Sequence, residues 1–345
     1  MKSATRMWAL VLLAMGSLSL AAMSAETTLC VGLRTLSSPY QANYAVGGEI
    51  YAKKTGLPLI VLACEGSSEK QVNDIKSLVA RTQGNVVLMI DPNEATDAYP
   101  IARELEAAGV YFSTWWNKPD ELKVWEFPHW VTHMSFDGIG AGRMTGEELF
   151  ASFKTPFKGK FIAVQGMLAN NAAQERYIGL QQAMAKYPDV QLVAMESAEW
   201  DRTKAYEKTK SMLIANPDVD GVWAANDDMA LGALEALRER GLAGKVLVTG
   251  VDGVDEVFAA IKKGEIAATV YNDAKYQGLI SLAQALAAKN GTLKVDELPR
   301  DRRQFFVNAI FVNRDNVQEI EDTYVNGTPD YDVDDLFGGW SRVME

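Results

Sequence analysis

The chain has 345 residues, 48% of them hydrophobic and 23% charged, with 45 acidic against 34 basic side chains and a net charge of −11. Such an acid excess repels nucleic acid and anionic lipid, which excludes a partner of either kind. The length also exceeds what one hydrophobic core comfortably fills, so two domains are expected.

Lys2 and Arg6 precede an apolar run over residues 7–20, and small residues Ala21, Ala22, Ser24 and Ala25 follow. That order predicts a secretory signal peptide over residues 1–25, and the run is too short for a permanent membrane span. An exported chain starting near Glu26 would lose two basic residues and carry −13 instead of −11. Cys30 lies beyond Thr27-Thr28-Leu29 and not directly after the small residues, so no lipid anchor is expected.

From residue 28 onward, short apolar runs alternate with helical patterns. Strands are expected at 28–33, 59–63, 86–90, 110–113 and 130–134, with helices around 40–54, 68–82 and 94–108 between them. Cys30 falls early in the first strand and Cys64 at the end of the second. If these strands are parallel neighbours, the offset holds the sulfurs more than ~12 Å apart, too far for a disulfide, and two buried free thiols are expected. Residues 115–129 form a longer, aromatic-rich connection than a βα loop usually has.

The second half repeats the pattern, with strands near 160–165, 190–195, 221–225, 246–251 and 266–271 and helices around 171–186, 202–215, 227–240 and 254–263. Strict alternation predicts parallel sheets covered by helices, hence two doubly wound α/β lobes. Phe136-Asp137-Gly138 and Asn272-Asp273 read as hinge crossings. The expected division is 26–136 with about 274–302 in one lobe, 137–273 with about 303–320 in the other, and an acidic surface tail over 321–345 packed through Phe337 and Trp340.

The stretch 220–253 carries the chemistry. The strand at 221–225 ends in Asn226-Asp227-Asp228, where a helix begins with Met229, Ala230, Ala233, Leu234 and Leu237 on one face. A second strand, 246–251, ends on Asp252-Gly253. Ligands of open α/β sheets sit beyond the carboxyl ends of the strands, and amide and carboxylate groups there suit a neutral polyhydroxylated molecule. The same residue types also cap helices, and that reading stands beside the first.

Other strings carry less. Gly138-Ile139-Gly140-Ala141-Gly142 has Arg143 where a dinucleotide fingerprint needs its third glycine. Asp330, Asp332 and Asp334 imitate a calcium loop, but Asp335 replaces the turn glycine and Ser341 the bidentate acid. His129 and His133 lie in a strand pattern without a metal-binding motif. No nucleophile triad or phosphate loop is present, so neither a catalytic set nor a cofactor is expected.

The strings Thr35-Leu36-Ser37-Ser38-Pro39-Tyr40, Gln174-Glu175-Arg176-Tyr177-Ile178-Gly179, Ala225-Asn226-Asp227-Asp228-Met229-Ala230-Leu231-Gly232-Ala233, Val251-Asp252-Gly253 and Ala268-Thr269-Val270-Tyr271-Asn272 resemble, in the same order, the ribose-binding protein family of type I periplasmic binding proteins. That resemblance implies a monomeric two-lobed clamp in the periplasm that holds one small neutral sugar or polyol and delivers it to the permease of an ABC importer. It carries ligand roles onto Ser38, Tyr40 and Gln41 after the first strand and onto Asp91 after the third. In the second lobe it does so for Arg176, Trp200, Asn226, Asp252 and Asn272. Where the ribose binders place an adjacent Asp-Arg pair, this chain has Trp115-Trp116-Asn117, which puts ribose itself in doubt.

A sugar offers hydroxyls at its rim and C–H groups on its faces, so aromatic rings should flank it. Trp223 sits mid-strand and reads as core, and Trp125 and Trp130 as packing; Trp115, Trp116 and Trp200 are open between core and cleft. Two other roles compete with import: the same fold presenting a signal to a sensor kinase or chemoreceptor, and a secreted hydrolase using Asp227 or Asp252 as acid or base. A repressor is excluded because no DNA-binding helix pair precedes the first lobe.

Overall fold

A computed structural model of the protein describes residues 26–327 and 329–344; the expected signal peptide lies outside them. The first half alternates β1 (Thr28–Leu33), α1 (Pro39–Thr55), β2 (Leu59–Ala63), α2 (Ser68–Thr82), β3 (Val86–Ile90), α3 (Ala98–Ala107), β4 (Phe112–Trp115) and β5 (Trp130–Ser135). The second runs α4 (Gly138–Ala151), β6 (Gly159–Gln165), α5 (Asn171–Lys186), β7 (Val190–Ser197), α6 (Arg202–Ala215), β8 (Gly221–Ala224), α7 (Asp227–Glu239), β9 (Leu247–Thr249), α8 (Asp255–Lys263) and β10 (Ile266–Tyr271). After α9 (Ala274–Lys289) come β11 (Gln304–Val307), β12 (Ile310–Asn313) and β13 (Trp340–Val343).

These strands form two sheets, ordered β13-β11-β5-β4-β3-β1-β2 and β12-β10-β9-β8-β6-β7. Every pairing is parallel except those of β12 and β13 at the edges. Alternation along the strands explains the layering of the first sheet. Leu29, Val31, Leu33, Val87 and Met89 share a core with Tyr40, Tyr44 and Tyr51 of α1 and with α9, while Cys30, Leu88 and Ile90 face Ile75 and Leu78 of α2 and Ile101 and Leu105 of α3.

Cys30 pairs with Ile60, and Cys64 lies four residues further along the neighbouring strand, so both thiols are buried and free. The two histidines go to separate partners, His129 to Glu106 and His133 to Thr114, each at 2.8 Å. The Gly138–Gly142 string packs helices. A Cβ at Gly142 would collide with the Arg176 carbonyl and one at Gly179 with that of Ile139, so α4 and α5 approach backbone to backbone, which fixes where Arg176 emerges.

Three placements differ from expectation. The fourth strand runs to Trp115 and not Ser113, because its apolar register with Trp130, Thr132, His133 and Met134 continues two residues further. β11 pairs with β5 in the first sheet, so the chain passes to the second only after Val307 and not at residue 303. The tail is more than a surface strap: β13 adds an antiparallel edge to the first sheet, while Glu321 pairs with Lys262 of α8.

Candidate ligand-binding cleft

At the carboxyl end of β8, Asn226 caps α7 by accepting from the Met229 N–H at 3.0 Å, and Asp227 and Asp228 occupy the first turn, where the helix dipole favours acids. Asp227 then reaches sideways. Its carboxylate accepts from the Gly253 and Val254 N–H groups at 2.7 and 2.9 Å and from the Thr269 hydroxyl at 2.8 Å, so its lone pairs are spent on holding neighbouring strand ends together. Asp252 is left free for the cleft. Its φ of 135° lies in a region that side chains rarely enter, and Trp116 (62°) and Trp200 (65°) also have positive φ. Strain of this kind persists where the surroundings over-determine it, often at ligand clamps.

A cavity enclosing about 530 Å³ of space, including its mouth, lies between the two sheets. Ser38, Tyr40, Gln41, Asp91 and Trp116 line it from the first lobe, and Arg176, Trp200, Asn226 and Asp252 from the second. Arg176 is central and only 3% exposed. Its guanidinium lies 5.3 Å from the Trp116 ring, 5.4 Å from Phe136 and 5.6 Å from Trp200. It donates to the Ala225 carbonyl at 2.7 Å and approaches Asp252 at 3.6 Å, and its Nε has no partner among the described residues. The Asn226 amide donates to Asp252 at 3.3 Å, so Asn226 is both cap and cleft residue.

Two expected residues lie elsewhere. Trp115 ends β4 fully buried, with its indole N–H donating to Ser281 of α9 at 2.6 Å, because the longer strand points it into the core and hands the cleft to Trp116. Asn272 sits behind the cavity, where its Oδ1 accepts from the Tyr40 hydroxyl at 2.9 Å and from the Gln277 amide. Gln41 supports more than it lines: it donates to Asp91 at 2.9 Å and accepts from the Arg34 and Thr35 N–H groups.

Arg34, Asn93, Asn117, Asn170 and Ala172 complete the wall and were not expected. A signal existed for three of them. Asn93 stands two residues after Asp91, Asn117 follows Trp116, and Asn170 precedes α5, all just past strand ends or at a helix start.

Burial dominates the acid–base chemistry. It pushes Asp91 up to about 7, with Arg34 and Asn117 opposing, and raises Asp252 well above the usual carboxylate range against the pull of Arg176. Hydrogen bonds already bridge the lobes around the cavity: Ser38 to Asp228 at 2.6 Å, Asn170 to the Asn93 carbonyl at 2.9 Å, and the Lys118 N–H to Asn171 at 3.1 Å. The cleft is closed.

Residues 31–293 match the family described as a periplasmic binding protein domain. The ribose import binding protein of Salmonella typhimurium is 32% identical over 71% of this chain and 79% of its own length. The xylitol-binding protein of Mycolicibacterium smegmatis is 28% identical over 74% of this chain and 69% of its own. Among solved structures, a twin-arginine translocation pathway signal protein from Burkholderia phytofirmans superposes with a TM-score of 0.90 at 40% identity, covering 93% of this chain and 99% of that one. An ABC transporter periplasmic solute binding protein from Actinobacillus succinogenes with bound D-allose superposes with a TM-score of 0.75 at 26% identity, covering 85% and 100%.

Proposed function

The chain belongs to the periplasmic binding protein domain family, and on that premise we propose that it encloses one small neutral sugar or polyol between its lobes and surrenders it, unmodified, to the permease of an ABC importer. Its role is that of the sugar- or polyol-binding component of such a transporter. The observation that carries the ligand assignment is the closed cavity, where charged and amide groups from both lobes converge around Arg176 and its three aromatic neighbours. Aromatic faces suit the C–H surfaces of a sugar, and paired donors and acceptors suit its hydroxyls.

The protein acts in the periplasm as a monomer after losing residues 1–25. Its first lobe comprises 26–136, 274–307 and the β13 edge, its second 137–273 and the segment around β12, and the lobes part at residues 136–137, 272–273 and 308–309. Ligand contacts come from Ser38, Tyr40, Asp91 and Trp116 on one side and Arg176, Trp200, Asn226 and Asp252 on the other. Asp227, whose carboxylate already accepts three hydrogen bonds from its own protein, supports binding over acid–base turnover.

Because the contacts are divided between lobes, ligand favours the closed state. Calorimetric titration with pentoses, hexoses and polyols should find one tight ligand per chain, recovered intact by mass spectrometry, and a smaller radius of gyration in its presence. A cleaved or phosphorylated product would overturn the receptor reading, and an unchanged radius at saturation would overturn the clamp.

A further inference from the structure

Three side chains of the first-lobe wall of the cleft, Asn93, Asn117 and Tyr40, are set as acceptors. The Asn93 amide donates to the Gly66 carbonyl at 3.2 Å and the Ser68 hydroxyl at 3.0 Å, and the Asn117 amide donates to the Pro92 carbonyl at 2.9 Å and to Asp91 at 3.4 Å. Carbonyls accept only, so the orientation of both side chains is fixed. Each Oδ1 is then left buried in the cleft wall without a partner among the described residues. An orphaned buried acceptor is costly unless something bound there donates to it.

Tyr40 joins them through a relay. Trp116 donates to the Tyr44 hydroxyl at 2.6 Å, Tyr44 donates to Gln277 Oε1 at 2.6 Å, and the Gln277 amide donates to Asn272. Tyr40 gives its single proton inward, to Asn272 Oδ1 at 2.9 Å or Gln277 Oε1 at 3.0 Å, so towards the cleft its phenol oxygen can only accept. Gln277 itself is fully buried on α9 and does not line the cleft. Asp91 adds a carboxylate, and Arg34, which donates to Met167 at 3.6 Å and to the Glu199 carbonyl at 3.4 Å, has further N–H groups to offer as donors beside these acceptors.

We infer that Asn93 Oδ1, Asn117 Oδ1 and the Tyr40 phenol oxygen meet the ligand as acceptors, selecting a sugar or polyol whose edge facing them carries free hydroxyl groups, and that Asn272 and Gln277, which both take the Tyr40 proton, position Tyr40 as one of those acceptors. This rests on the sugar or polyol reading given above. Deoxy positions and O-methyl groups at those three acceptors are rejected: the first strands an acceptor and the second removes a donor. On the second-lobe wall Arg176 Nε is free and Asp252 stands opposite.

The test is calorimetric titration of the full chain with D-ribose, xylitol, D-allose and myo-inositol. The tightest binder is then compared with its mono-deoxy analogues. At least one deoxy position should cost roughly tenfold or more in affinity. Tyr40→Phe removes the phenol oxygen; it should weaken the parent ligand by roughly tenfold yet weaken the analogue lacking the hydroxyl at Tyr40 much less, so that discrimination at that position collapses. Equal weakening of both would overturn the role of Tyr40 as an acceptor. If every deoxy analogue of a ligand that does bind stays within about threefold of the parent, the assignment of these acceptors is wrong while the receptor reading stands. Binding of none of the four probes would defeat the receptor reading and this inference together. The deoxy series on the unaltered chain decides the matter even if Tyr40→Phe fails to fold.

Discussion

Asp227 and Asp252 stand one strand apart at the same sheet edge, both buried, and the chain uses them in opposite ways. Asp227 accepts three hydrogen bonds from its own protein and ties α7 to the start of α8 and to β10. Asp252 is held loosely, 3.6 Å from Arg176 and 3.3 Å from the Asn226 amide, on backbone at φ 135°. Residue type and burial do not separate a brace from a binding group. What separates them is whether the lone pairs are already spent.

The largest effect should come from breaking the brace. Asp227→Ala orphans two backbone N–H groups and a hydroxyl in the core, and should cost more than ~4 kcal/mol of fold stability. Denaturant unfolding measures it. If stability stays within about 1 kcal/mol of the unaltered protein, the contrast with Asp252 disappears.

Asp252→Ala should invert the pattern, losing at least roughly thirtyfold in affinity, or ~2 kcal/mol, with less than half the stability loss of the Asp227 variant. Some stability loss is expected because Arg176 is left without a counterion in the closed cleft. Wild-type affinity in this variant would sink the site. A larger stability loss than in Asp227→Ala would instead make Asp252 the brace.

The same distinction explains what the sequence could and could not reveal. Strand–helix alternation located the edge, so polar residues on or just past strand ends, such as Asp91, Asn226 and Asp252, were legible. Trp115 was not, because a two-residue extension of β4 decides which of two adjacent tryptophans faces the core, and aromatic sequence has no feature marking that end. Asn272 sits at a strand end as expected, yet Tyr40 and Gln277 occupy its oxygen from a helix and a lobe that no local pattern connects to it. β13 has neither alternation nor an apolar run, and forms because β11 offers an open edge.

A third expectation sharpens the comparison through pH. Asp91 is raised to about 7 by burial, whereas a carboxyl in the unfolded chain titrates near ~4. A folded-state pKa above the unfolded value contributes stability at low pH that is lost as pH rises towards 7. Ligand hydroxyls donate to the ionised form, so affinity should move the other way, weakening by up to about tenfold per unit as pH falls below 7. Asp252, also raised, adds in the same direction. Asp91→Asn should flatten most of the affinity trend, while part of the stability trend stays with Glu175 and Asp227, which burial raises to about 7 and about 6; an unchanged affinity trend in that variant would shift the titration to Asp252.

The smallest effect distinguishes the paired tryptophans. Trp116 places its ring 5.3 Å from the Arg176 guanidinium and donates to Tyr44, whereas Trp115 touches only core and Ser281. Trp116→Phe keeps an aromatic face but loses the stronger cation–π partner and strands the Tyr44 hydroxyl, so affinity should fall by about three- to tenfold, or ~1 kcal/mol, alongside a stability loss of ~1 to 2 kcal/mol. Trp115→Phe removes a buried ring edge and strands the Ser281 hydroxyl, so ~1 to 2 kcal/mol of stability should go while affinity holds. Measured side by side, the two variants should therefore differ in affinity and not in stability. If both lowered stability alone, Trp116 would be core like its neighbour, and Arg176 would face the ligand with support from Phe136 and Trp200 only.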